Sequence, residues 1–269
     1  MRTRTIAVAV AVLAVAVLAG AVRADWNPPM PAKWVQWPDL SETGIDIRVD
    51  QNAGLRRIAD DFPCVETGRV TDVHIWGSWL NDYNTGINAF NLRFWSNNPG
   101  GPKGGFSQPE TLLWEGWITP VGSTQPAQGH FTERPWATVP YEHFWDPVTN
   151  QWGVDHQVVQ YNMYIDPAVA FVQRGTKDNP QIYWLEVQAY TSATFDQFGW
   201  KTRKPEDGHF MDDAVYWVEP VGTIGYWLPL EYTNGESIDM AFVITPEPAT
   251  LCLLGAGLAG LVARRIRKK

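Results

Sequence analysis

The feature that most constrains the fold is a series of short runs in which apolar and polar residues alternate. Gly, Pro, Asn and Asp cluster between these runs. Alternation with a period of two, rich in β-branched and aromatic residues, is typical of β-strands. The predicted strands are Val70–Leu80, Phe90–Ser96, Thr111–Ile118, Val158–Ile165, Ile182–Thr191, Ala214–Val218 and Ser237–Thr245. Since no helical period separates them, they predict an all-β domain, an antiparallel β-sandwich or jelly-roll-like fold.

Tryptophan is unusually frequent, with fifteen in 269 residues. Alternation places Trp76, Trp95 and Trp184 on the polar-rich faces of their strands, among side chains that form hydrogen bonds. An aromatic ring in such surroundings can stack on the C–H face of a sugar, which makes these three residues the candidates for glycan binding. The alternative is that they form a second small core beneath an N-terminal arm or the long loops.

Charge and cysteine content argue against a nucleic-acid-binding protein and against a disulfide-stabilised domain. Between residues 25 and 245 there are 13 basic and 28 acidic residues, a net charge of −15. Such a surface repels phosphate backbones, so nucleic-acid binding is not expected. This part of the chain holds one cysteine, Cys64, which leaves no partner for an internal disulfide. We expect a buried, inert thiol there, in a domain stabilised by its core alone.

No compact catalytic or metal-binding motif is present. The five histidines are scattered without the spacing of zinc ligands, and we expect no cofactor and no catalytic residue. Two acidic doublets are weak calcium candidates through their carboxylate oxygens, Asp60 with Asp61 and Asp212 with Asp213. The alternative is that these aspartates cap turns and strand ends.

The N-terminus predicts a secretory signal peptide, residues 1–24, with a signal helix and cleavage after Ala24. Residues 25–57, rich in Trp and Pro, predict an extended arm. The β-sandwich domain is predicted at residues 58–245. The predicted signal peptide makes the body an exported one, in which signal peptidase is a transient partner.

The C-terminus joins Pro246, Glu247 and Pro248 to an apolar run, residues 249–263, and to a basic cluster that begins at Arg264 and Arg265. These three parts, in this order, resemble the PEP-CTERM sorting signal, residues 246–269. The resemblance implies that exosortase, a membrane-embedded processing enzyme, recognises the Pro-Glu-Pro residues. The apolar run, as a helix of about 22 Å, is shorter than the ~30 Å hydrocarbon core, which favours a transient transmembrane sorting helix over a lasting anchor.

The body also resembles a known group. The stretches "IADDFPC", "VTDVHIWGSWL", "YWLEVQA", "FGWKT", "DDAVYW" and "SIDMAFVIT" are similar to an uncharacterised domain common in exported planctomycete proteins. The resemblance implies export and a β-rich fold, and it implies no activity.

Together these features predict an exported, non-catalytic protein that is membrane-tethered and then sorted to the cell surface or extracellular matrix, with polysaccharide as its expected ligand. One alternative is an extracellular glycoside hydrolase or lyase, because such an enzyme needs only two carboxylates placed by the fold. The other is a purely structural matrix protein in which the three tryptophans are buried.

Overall fold

A computed structural model describes residues 26–52, 56–100, 105–204, 210–232 and 234–245. The predicted signal peptide with Ala24 and the sorting signal with Pro246, Glu247, Pro248, Arg264 and Arg265 lie outside the described residues. Within the described ranges, there is no helix of sufficient length and apolarity to span a membrane. A single 3-10 turn, Leu80–Asp82, interrupts the strands there.

The described chain folds into β-strands, which confirms the all-β prediction. The strands are β1 Trp34–Gln36, β2 Ile45–Arg48, β3 Ile58–Arg69, β4 Asp72–Trp79, β5 Ile87–Asn98, β6 Gln108–Pro120, β7 Gly129–Asp146, β8 Gln151–Ile165, β9 Val172–Thr191, β10 Phe198–Lys201, β11 Val215–Val218, β12 Tyr226–Pro229 and β13 Phe242–Thr245.

The strands form one mixed sheet in the order β1-β13-β4-β10-β2-β7-β6-β5-β9-β3-β11-β12, and β8 pairs with β4 and β7. The described pairings are antiparallel except for two, since β2 and β6 each run parallel to β7. Strand β7 contains Pro135 and Pro140, which cannot donate to a ladder, and its pairing with β8 shifts register between Pro135 and Ala137 and between Thr138 and Glu142.

The sheet folds back on itself, so that the inner face of β5, β9 and β3 packs on β4, β8, β10 and β13. Aromatic rings join the two layers. Phe90 on β5 lies with its ring centroid 5.2 Å from Tyr161 on β8 and 5.8 Å from Phe198 on β10. Phe62 on β3 lies 6.0 Å from Phe242 on β13. All five side chains are fully buried, so this sandwich interior is the main core.

The predicted N-terminal arm contributes two strands. β1 pairs with β13 through Trp34 and Ile244, and β2 is hydrogen bonded between β10 and β7. Cys64 on β3 is buried, as expected. Burial raises the pKa of this thiol, whose Sγ donates to the carbonyl of Glu66 at 3.2 Å.

Candidate functional site

Trp76, the first predicted glycan-binding residue, lies in a second apolar cluster on the outer side of β4. The side chain is fully buried. It contacts Trp136 of β7, at 5.3 Å between ring centroids, and Trp26 and Trp37 of the N-terminal segment, each at 6.4 Å. The N-terminal segment therefore covers this ring, which has no face open to a sugar.

Trp95 and Trp184 lie directly opposite each other on β5 and β9. Trp184 is fully buried and Trp95 is half-buried in a third cluster with Trp217 and Trp227 of the β11–β12 hairpin. Their indole groups are already bonded, because Trp95 Nε1 donates to Glu186 Oε2 at 2.8 Å and Trp184 Nε1 donates to Asn97 Oδ1 at 2.8 Å. This burial and bonding give no support to glycan stacking at either ring.

The acidic doublets lie in two different settings. Asp60 and Asp61 are within β3 and fully buried, whereas Asp212 and Asp213 are partly exposed just before β11. Asp60 accepts the amide of Met240 at 2.7 Å, and both oxygens of Asp61 lack a hydrogen-bond partner. Burial raises the pKa of Asp61 to about 9, and the charges of Asp239 and Asp212 add to this shift. The two doublets therefore interact electrostatically through Asp61 and Asp212. Their role in calcium binding remains a prediction.

An open groove of about 710 Å³ lies on the outer face of the sheet, where β6, β5 and β9 are neighbours. Trp117 of β6 and Tyr190 of β9 lean toward each other across β5, with ring centroids 4.7 Å apart and planes at 63°. On β5, Ala89 is opposite Tyr190 and Asn91 is opposite Trp117, and Ala89 lines the groove. Trp117 is 37% exposed, so part of its ring faces the groove and solvent.

The loop after β6 forms one wall of the groove and fixes the position of Trp117. The Trp117 amide donates to Gln128 Oε1 at 2.7 Å, and its carbonyl accepts the Gln128 amide at 2.9 Å. Gly122 opens this loop with a φ of 88°, a left-handed conformation that favours glycine. The loop spans residues 121–128, between the end of β6 and the start of β7.

The remaining groove wall is uncharged. Among the described residues that line the groove, none is an acid, a base or a histidine. Polar groups come from amide and hydroxyl side chains, which are Gln51, Asn88, Thr119, Ser123, Gln125 and Thr191. Gln51 is itself held in place, because its Oε1 accepts the Thr191 amide at 2.9 Å. Burial raises the pKa of Tyr190, and its neutral hydroxyl donates to Gln188 Oε1 at 3.2 Å.

A second exposed aromatic surface lies on the β7–β8 hairpin. Trp145 and Trp152 stack with centroids 5.3 Å apart and planes at 14°. Trp152 also contacts His143, whose ring lies 5.0 Å from Tyr141. This surface carries a histidine, whereas the described lining of the groove has none.

Sequence reasoning missed the groove, although the signal was present. Trp117 shares a strand face with Glu115, and Tyr190 shares one with Gln188 and Glu186, as in the rule that selected Trp95. The contact between Trp117 and Tyr190 across β5 depends on the strand order, which the alternation does not specify.

Comparisons with known proteins identify two segments of the chain. The model of a PEP-CTERM protein-sorting motif matches residues 245–268. No curated protein and no solved structure matches the chain. The motif marks an exported protein that exosortase sorts to the cell surface, as the C-terminal pattern predicts. A second family model, described as Domain of unknown function (DUF7901), matches residues 32–245, and the chain belongs to this family.

Proposed function

We propose that this chain is a non-catalytic surface or matrix protein that binds a neutral extracellular polysaccharide in the groove of Trp117 and Tyr190. The observation that supports it best is the pairing of an exposed aromatic ring with an entirely uncharged polar wall. An apolar ring flanked by a few convergent polar groups is the usual composition of a small-molecule site.

In this site the open face of Trp117 stacks on the C–H face of a sugar ring. The side chains of Asn88, Ser123 and Gln125 bond to the sugar hydroxyls. Gln51, Thr119 and Thr191 are hydrogen bonded within the protein and shape the groove wall. The net charge of −15 between residues 25 and 245 disfavours strongly anionic glycans, so a neutral chain fits best.

The proposal favours binding over hydrolysis because the described groove lining contains no carboxylate. A glycoside hydrolase places two carboxylates on either side of the scissile bond. The described residues that line this groove include no Asp or Glu. The hydrolase or lyase alternative therefore has no support from this surface.

The delivery route completes the proposal. Signal peptidase cuts after Ala24, the C-terminal apolar run then tethers the chain briefly in the membrane, and exosortase recognises Pro246, Glu247 and Pro248. The groove-bearing body then lies outside the cell, where polysaccharide is available.

Replacing Trp117 with alanine is expected to weaken glycan binding at least about tenfold, equivalent to about 1.4 kcal/mol, because the stacking surface is lost. The measurement is isothermal titration of the purified full chain with neutral oligosaccharides and with polysaccharide from the producing cells. The matched control is Tyr226→Ala, which removes an exposed aromatic ring of β12 that does not line the groove.

Two results would count against the proposal. Equal affinity of wild type and Trp117→Ala would place the ligand elsewhere, with the Trp145–Trp152 surface as the next candidate. No binding of any neutral glycan, with no change in tryptophan fluorescence, would favour the purely structural alternative.

A further inference from the structure

A buried charged cluster lies where β2, β7, β8 and β10 meet. Asp46, Glu142, Asp155 and Lys201, one from each strand, have no solvent exposure. Lys201 is opposite Asp46 in the β10–β2 ladder, and Glu142 is opposite Asp155 in the β7–β8 ladder. The register shift that begins at Thr138 brings Glu142 opposite Asp155 in the β7–β8 pairing.

Lys201 forms ion pairs with two of the three carboxylates, those of Asp46 and Glu142. Its Nζ lies 3.0 Å from Asp46 Oδ2 and 2.7 Å from Glu142 Oε2. The other oxygen of each of these carboxylates, Asp46 Oδ1 and Glu142 Oε1, has no hydrogen-bond partner, and neither oxygen of Asp155 has one. Burying four ionised carboxylate oxygens without partners is strongly unfavourable, so these carboxyls either hold protons or bind a positively charged component.

Charge and geometry define that component. Three ionised carboxylates and one ammonium carry a net charge of −2, which one divalent cation neutralises. One oxygen from each carboxylate lies within 4.8 Å of the others. Two oxygens bound to one calcium ion at about 2.4 Å lie no more than about 4.8 Å apart, so these separations are compatible with a single shared ion. Mg²⁺ binds at about 2.0–2.1 Å and demands a near-ideal octahedral set, whereas Ca²⁺ accepts irregular sets that combine carboxylate oxygens with other oxygens.

We propose that Asp46, Glu142 and Asp155 bind a calcium ion inside the sandwich, with Lys201 balancing the remaining negative charge. Asp155 would supply both of its oxygens, and Asp46 and Glu142 would each supply the oxygen that Lys201 leaves free. The ion would tie β2, from the N-terminal segment, to the β7–β8 hairpin and β10. This proposal is independent of glycan binding.

The test compares thermal unfolding of the purified full chain in excess chelator and in ~1 mM calcium, a typical extracellular level. If the calcium concentration is about a hundredfold above the dissociation constant, the midpoint of thermal unfolding is expected to be about 5–10 °C higher in calcium than in chelator. Elemental analysis of the dialysed wild-type chain should find one calcium per chain.

Asp155→Asn should abolish the calcium-dependent rise. The matched control is Asp61→Asn, since Asp61 is also fully buried with both oxygens unpartnered but lies in the other acidic cluster. This variant should keep the rise. If Asp155→Asn does not fold, Glu142→Gln makes the same comparison, and the calcium content of the wild-type chain needs no variant.

Three outcomes would overturn the proposal. One is a wild-type chain that neither retains calcium nor gains stability from it, in which case the carboxyls hold protons instead. Another is a rise that is lost in Asp61→Asn and kept in Asp155→Asn, which would place the ion at the other cluster. The third is a rise with Mg²⁺ and none with calcium, which would exclude the proposed ion.

Discussion

Replacing Lys201 with methionine is expected to lower the free energy of unfolding by about 3–5 kcal/mol, because it leaves buried carboxylates without their ammonium partner. The lysine is fully buried and lies within 3.0 Å of two carboxylates. Burial alone would lower the pKa of Lys201, but Asp46 and Glu142 raise it above its ordinary value, so the ammonium form is the one that pairs. Methionine retains much of the side-chain volume and removes the charge.

Urea unfolding of the full chain, followed by circular dichroism, measures this loss. The control is Lys204→Met, three residues further along the chain and half-buried, which is expected to change the free energy of unfolding by less than about 0.5 kcal/mol. Equal stability of Lys201→Met and wild type would mean that the cluster does not depend on this ion pair.

Replacing Trp76 with alanine is expected to lower the free energy of unfolding by about 3–5 kcal/mol, because a buried ring that contacts three other tryptophans is lost. Glycan affinity, measured by titration under conditions where the variant stays folded, is expected to equal that of wild type. This pair of results separates a core role for Trp76 from the binding role that its strand face suggested.

The control for Trp76 is Phe195→Ala, which removes an aromatic ring that is 69% exposed. It is expected to change stability by about 0.5 kcal/mol or less. A stable Trp76→Ala chain with weakened glycan binding would contradict this account and restore the original assignment.

Seven of the thirteen described strands could be predicted from the sequence because alternation is a local property. The sequence pattern did not predict β1, β2, β3, β7, β10 or β12. Phe90, Leu92 and Phe94 share one face in the sequence pattern, and all three are buried in the main core. The alternation of apolar and polar residues is less regular in β7, because Pro135 and Pro140 interrupt it. Register shifts absorb that irregularity, and no local signal indicates them.

The surroundings of each face could not be predicted in the same way. Trp76 and Trp184 lie on polar-rich faces, yet the N-terminal segment covers one and the β11–β12 hairpin covers the other. The buried cluster unites Asp46 with Lys201, which are 155 residues apart in the chain. Contacts of this kind depend on which strands are neighbours. The strand order depends in turn on contacts between residues that are distant in the sequence.

The most direct measurement of the central claim is hydroxyl-radical footprinting of the full chain with and without a bound neutral oligosaccharide. The account predicts that the ligand protects Trp117 and Tyr190 from oxidation and leaves Trp152 and Tyr226 unchanged. Protection of Trp152 without protection of Trp117 would contradict it.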